Sequence, residues 1–136
     1  MQTLKASIFT LIILLCSWTH VQGQEIDKNL IIGKWKFVKA TYGQPVKDYN
    51  YNGTPQLTFE KNGRWITDDS NPNYRQQGTW KIENNDLVRD PDKFATGDGG
   101  PYIRKIDKLT ATELVLSAYP LNGAPTLTFL FKRIEP

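Results

Sequence analysis

Residues 57–67 are the most constraining stretch of the chain. Leu57-Thr58-Phe59-Glu60 alternates apolar with polar, Lys61-Asn62-Gly63 turns, and Arg64-Trp65-Ile66-Thr67 alternates again. Asn and Gly both tolerate positive φ, so Asn-Gly between alternating runs is the strongest short-range mark of a β-hairpin. A period of two puts one face of each strand toward a core and the other toward water. Such a hairpin is marginal alone and requires further strands beside it.

The rest of the chain supplies them. Residues 74–83 and 86–89 form a second hairpin around Asn84-Asn85. Residues 102–109, 112–119 and 125–134 read as a meander with turns near Ala111 and at 121–124. In the last of these, Leu127, Phe129, Phe131 and Arg133 share one face, and Thr126, Thr128 and Lys132 the other. At the front, Asp27 can cap a short helical turn carrying Leu30 and Ile31, with a strand following over 34–42. There Trp35 and Phe37 fall on one face and Val38 and Ala40 on the other, which calls for a bulge or for burial on both sides. The count is eight strands and no helix longer than a turn or two. Consecutive hairpins favour an all-β, antiparallel up-and-down barrel, and eight strands suffice to close one. Closure also removes exposed sheet edges.

Residues 1–23 have the layout of a secretory signal peptide. Lys5 is the positive n-region, residues 8–15 the apolar h-region, and Val21-Gln22-Gly23 a small-residue cleavage site. The apolar run falls short of the about 20 residues that a membrane-spanning helix needs. Cys16 raises lipid attachment, but Leu15 stands where a lipoprotein signal has a small residue, so ordinary cleavage is expected. Residues 24–136 then form one exported domain, periplasmic or extracellular.

Cleavage changes the chemistry available. The chain's one Cys (Cys16) and one His (His20) leave with the leader. The remaining domain has no thiol nucleophile, imidazole base or disulfide, which excludes Ser-His-Asp and Cys-His catalysis and zinc sites built on His or Cys. The net charge of +3, which includes Lys5, comes from scattered basic residues. A nucleic-acid surface concentrates them, so no nucleic-acid partner is expected. Asp68, Asp69, Asn71 and Asn73 are spaced like the start of a calcium loop. The required Gly is missing, and Trp80 occupies the place of the bidentate Glu, so no metal is expected. Nor does any carboxylate pair stand out for glycoside hydrolysis, and the chain is not expected to be an enzyme. No cofactor motif is present.

Two stretches, 43–55 and 90–101, break the alternation and read as long loops, a length that is often functional. Aromatic residues dominate the remaining candidates. Trp80 and Ile82 share a face with Tyr74 and Gln76, mixing apolar and polar groups inward as ligand cavities do. Trp65, Tyr74, Gln76, Tyr102 and Tyr119 are the candidates for a lumen or its mouth. The competing reading is a packed core with the tyrosine hydroxyls at its rim. Tyr49, Tyr51 and Phe94 would instead serve a protein or glycan contact carried by the loops.

The opening Leu30-Ile31-Ile32-Gly33-Lys34-Trp35, the hairpin from Leu57 to Trp65, Gly78-Thr79-Trp80-Lys81-Ile82 and the closing Leu127-Thr128-Phe129-Leu130-Phe131-Lys132-Arg133 together resemble the lipocalin-like domains of secreted bacterial proteins. That resemblance implies a barrel closed at its base by Gly33 and Trp35, with Arg133 packed across the tryptophan. It departs from lipocalins in lacking their Thr-Asp-Tyr motif. A lipocalin-like chain is expected to bind a small apolar or amphipathic molecule, with a filled barrel acting through its loops as the alternative. Any protein partner is unknown from sequence.

Overall fold

The computed structural model describes residues 25–49, 56–68, 75–93 and 101–134. A 3-10 turn, Lys28–Ile31, comes first, capped by Asp27, whose carboxylate accepts from Asn29 N at 3.0 Å. Nine strands follow: β1 (Gly33–Tyr42), β2 (Lys47–Tyr49), β3 (Gln56–Phe59), β4 (Arg64–Asp68), β5 (Gln77–Glu83), β6 (Asp86–Pro91), β7 (Tyr102–Leu109), β8 (Glu113–Ala118) and β9 (Leu127–Arg133). β3 pairs antiparallel with β1, from β4 to β9 each strand pairs antiparallel with its predecessor, and β9 returns to β1. The result is a closed, eight-stranded, antiparallel up-and-down barrel, as expected from the sequence.

The ninth strand is the difference. Residues 43–55 read as loop, yet β2 pairs with the upper half of β1 (Ala40↔Tyr49, Tyr42↔Lys47). On the same edge, the lower half of β1 pairs with β3 (Gly33↔Phe59 to Lys36↔Gln56). A three-residue strand is too short to show alternation, which is why the pattern failed to mark it.

The turns form for the reasons their residues suggest. At 60–64, Gly63 has φ +83°, and Asn62 Oδ1 accepts from Arg64 N at 3.0 Å. Asn84 and Asn85 both have positive φ (49° and 65°), the requirement of a tight turn matching strand twist. In β1 the structure selects the bulge. Phe37 pairs with Phe131 and Lys39 with Leu130, leaving Val38 unmatched. The extra residue turns Val38 outward and brings both Phe37 and Ala40 into the core.

The base of the barrel is solidly filled. Ile31, Trp35, Leu57, Phe59, Leu87, Leu114 and Leu116 are all buried. Each fully buried side chain of this kind contributes about 1.5–3 kcal/mol. Phe37 and Phe131 meet edge to face at 5.7 Å, as do Phe59 and Trp80. Ile31 carries the 3-10 turn into this core, and its carbonyl accepts from Trp35 Nε1 at 2.7 Å.

Candidate functional site

Two groups of residues stand out, one at the base and one on the inner wall toward the opposite end. At the base, Arg133 lies with its guanidinium carbon 4.3 Å from the centre of the Trp35 ring. Its Nη1 donates to Ile32 O at 2.8 Å, its Nε to Ala111 O at 2.6 Å, and its Nη2 to Leu30 O. Gly33 makes room for it. A Cβ there would stand 2.3 Å from Arg133 Nη1, and Gly33 has φ +133°, where side chains are strained. Gly33, Trp35 and Arg133 therefore meet at one point, where the first and last strands pair directly (Trp35↔Arg133).

The second group centres on Arg89 of β6. Leu87 is buried inward, so period two also carries Arg89 inward. Its guanidinium carbon sits 5.0 Å from the Trp65 ring centre and 5.5 Å from that of Tyr102. Tyr102 is its direct partner across β6 and β7. Trp65 reaches it across β5, where the intervening residue is Gly78, opposite Trp65. Gly78 brings no side chain into that gap, and its backbone lies so close to β6 that a Cβ would stand 1.9 Å from Asp90 O. On β7, Arg104 also points inward and lies 5.9 Å from the Phe129 ring centre, donating to Ile103 O at 2.9 Å. Gln76 adds an amide that reaches the Tyr102 hydroxyl at 3.4 Å. Gln76 is held through its backbone, because its N donates to Thr67 Oγ1 at 2.7 Å and its O accepts from Thr67 N at 2.8 Å.

The residues singled out from sequence thus fall in three places. Trp65, Gln76 and Tyr102 come together. Tyr74 lies outside the described residues. Tyr119 stands apart on the outer wall, 51% exposed, donating to Asp86 across the barrel surface. That bond pushes the Tyr119 phenol above its ordinary pKa, with burial and the Asp86 charge adding to the effect. Tyr119 lies just beyond the end of β8, whose buried hydrophobic residues are Leu114 and Leu116, and its own side chain is left half exposed. Arg89 and Arg104 were missed, although parity with Leu87 and Ile106 would have found them.

Among the described residues no cluster of His, Cys, Asp and Glu is placed to hold a metal, and no helix is long and apolar enough to cross a membrane. Tyr51, Phe94 and the calcium-like positions 69–73 lie outside the described residues. Asp68 faces Arg75 at 3.9 Å. A rim cleft of about 670 Å³ runs between Thr41–Lys47 and Gly123–Thr128.

The sequence pattern of one family, described as a lipocalin-like domain, matches residues 31–116, more than half of the chain. The chain belongs to the lipocalin-like domain family. No curated protein matches it in sequence. Among solved structures, this lipocalin-like barrel is similar to an uncharacterized protein from Bacteroides eggerthii. The two share 15% identity at a TM-score of 0.54, over 76% of this chain and 98% of that one. It is also similar to bovine odorant binding protein, solved with a selenium-containing odorant, at 21% identity and a TM-score of 0.46, over 85% of this chain and 78% of the other. The family match runs from Ile31 through the buried Leu116, taking in the first strand, the Trp65 hairpin and both inward arginines.

Proposed function

We propose that this lipocalin-like domain is exported and holds a small apolar or amphipathic molecule at the end of the barrel away from Trp35. One observation carries the reading: the inner wall changes character along its length. The base is closed by fully buried Ile31, Trp35, Phe59, Leu87 and Leu114. Beyond it the inner face carries half-buried Tyr102, Leu127 and Phe129 together with Gln76, Arg89 and Arg104. Aromatic walls with a few placed polar groups are what small-molecule sites use. The driving force is burial of ligand apolar surface, about 25 cal/mol per Å² before ordering costs. Export rests on the leader layout of residues 1–23.

The test is titration of the domain with a neutral, polarity-sensitive fluorophore, with native mass spectrometry for stoichiometry. One molecule bound per chain, displaced by neutral long-chain alcohols, is the expected result. A folded barrel that takes up no probe would overturn the reading. A second reading, a contact surface for another macromolecule, draws on exposed Val46 (65%) beside the rim cleft and Leu121 (78%) just before it. Val46→Ser with Leu121→Ser would then abolish partner capture and leave probe uptake unchanged.

A further inference from the structure

Asn-Gly steps make good turns and are also chemically labile. The glycine nitrogen can attack the asparagine side-chain carbonyl, because the glycine has no side chain to stand in the way. The chain has three such steps, at 52–53, 62–63 and 122–123. The first lies outside the described residues, and the fold treats the other two differently. At 62–63 both reacting groups are engaged. Gly63 N donates to Glu60 O at 3.1 Å, and Asn62 Oδ1 accepts from Arg64 N at 3.0 Å. Gly63 O accepts in turn from Trp80 N at 2.9 Å, so the next strand pins the same residue. At 122–123 the turn is of another kind. Asn122 and Gly123 are its two central residues, with φ of 50° and 74°, and Ala124 N closes it by donating to Leu121 O at 3.0 Å. That bond passes over the Gly123 amide, which has no acceptor among the described residues. Asn122 and Gly123 are both exposed. Chain neighbours aside, no described atom comes within 4 Å of where a Gly123 Cβ would stand. Peptide and side chain there have room to rotate into the attacking geometry.

We propose that Asn122 is a self-modification site, its side-chain amide converted to a carboxylate through the Gly123 nitrogen, while the fold protects Asn62. The Gly123 N–H gives its proton to hydroxide, and the nitrogen bonds to Asn122 Cγ. The Cγ–Nδ2 bond then breaks, and ammonia leaves with a proton from water. A second water opens the resulting five-membered imide. Opening at Cγ gives aspartate, and opening at the main-chain carbonyl gives isoaspartate, whose backbone runs through the side-chain methylene. Both products carry a negative charge that asparagine lacks. The change falls beside Gly123, Ala124 and Pro125, which belong to one wall of the rim cleft of about 670 Å³, while Lys47 belongs to the other. The cleft thus gains an anionic edge with time, and in the isoaspartate form the β8–β9 turn is one backbone atom longer. The reaction needs no partner and does not return to asparagine, so it marks the age of the protein. It holds whether or not the barrel takes up a ligand.

The experiment follows Asn62 and Asn122 in one sample. The purified, folded protein is incubated in mildly alkaline buffer and then digested in acid, where the reaction is slow. Tandem mass spectrometry reads the gain of about one mass unit that amide-to-carboxyl conversion brings at each asparagine. In the folded protein Asn122 is expected to convert at least about tenfold faster than Asn62, because Asn62 must first give up the hydrogen bonds of its turn. In urea, where both turns are lost, the two rates should come within about threefold of each other. Aspartate and isoaspartate should appear together at residue 122, since one imide gives both. Equal rates in the folded protein, or faster conversion at Asn62, would overturn the inference. So would an Asn122 that stays intact while the unfolded chain reacts. Conversion of Asn122 to aspartate alone would overturn the route through the Gly123 nitrogen.

Discussion

Arg133 and Trp35 pair across the seam where the last strand meets the first, with the guanidinium 4.3 Å from the indole centre. The same guanidinium takes up the carbonyls of Leu30, Ile32 and Ala111. One side chain from the end of the chain thus ties together the 3-10 turn, the entry to β1 and the β7–β8 turn. Three backbone acceptors and an aromatic face depend on it at once.

Removing that group should be costly. Arg133→Met keeps most of the stem but leaves three carbonyls without their donor. A charged hydrogen bond contributes about 1.5–3 kcal/mol and the ring contact about 0.5–2, with water replacing part of the exposed share. A loss of about 3 kcal/mol is expected in urea unfolding. A change below about 1 kcal/mol would mean that the base is held by its apolar core alone.

Gly33→Ala should couple to that change. The added methyl both strains a residue at φ +133° and displaces Arg133 Nη1. The backbone part, about 1–2 kcal/mol, persists in any background. The displacement part disappears once Arg133 is already gone. Gly33→Ala should therefore cost measurably less in Arg133→Met than in wild type, and strictly additive costs would contradict this geometry.

Gly78→Ala should behave differently. Its obstacle is the Asp90 carbonyl of the neighbouring strand, 1.9 Å from the new Cβ. Backbone cannot swing aside as the end of an arginine can, so β5 and β6 must separate. Destabilisation of about 2–4 kcal/mol is expected, of the order seen for overpacked interiors. Faster hydrogen exchange at the amides joining β5 to β6 would localise the damage.

Acid should weaken the fold partly through Asp92. Arg64 holds it by a two-armed pair, and the hydrogen bond to Arg64 lowers the Asp92 pKa below the ordinary aspartate value. The folded state then binds that proton less readily than the unfolded chain. Its contribution is complete above the ordinary aspartate pKa and is lost as pH falls through the lowered one. Glu113, held by Lys108, follows the same sign. Thermal unfolding of Asp92→Asn should trail wild type at neutral pH and converge with it in acid. A gap independent of pH would rule out the pair as its source.

Alkali should act at Tyr119 with the opposite sign. Its phenol donates to Asp86, which raises its pKa above that of an unfolded tyrosine. The contribution is complete below the unfolded pKa and is lost as pH rises through the folded one. Tyr119→Phe should therefore be less stable than wild type at pH 7 and converge with it in strong base. Small-molecule uptake should be untouched, because Tyr119 faces outward.

The strands were legible because alternation and turn chemistry agreed. Asn62-Gly63 and Asn84-Asn85 marked both hairpins, and the Trp35–Phe37 pattern against Ala40 already demanded a bulge or a second buried face. The structure realises the bulge at Val38. What escaped notice was short or charged. β2 has three residues, too few to show a period. Arg89 and Arg104 were counted only among scattered basic residues, although Leu87 and Ile106 on the same strands set their direction inward. Tyr119 misled in the opposite way, since an aromatic residue suggested an interior, whereas it stands half exposed just past the end of β8. The close approach of β5 to β6 at Gly78 left no mark in the letters, because it depends on how two strands lean together.

Arg133 grips main-chain oxygens, which every amino acid supplies. The side chains at Leu30, Ile32 and Ala111 can therefore drift without loosening the clasp, provided the backbone keeps its path. A barrel joined in this way can exchange the side chains around its seam and retain its shape.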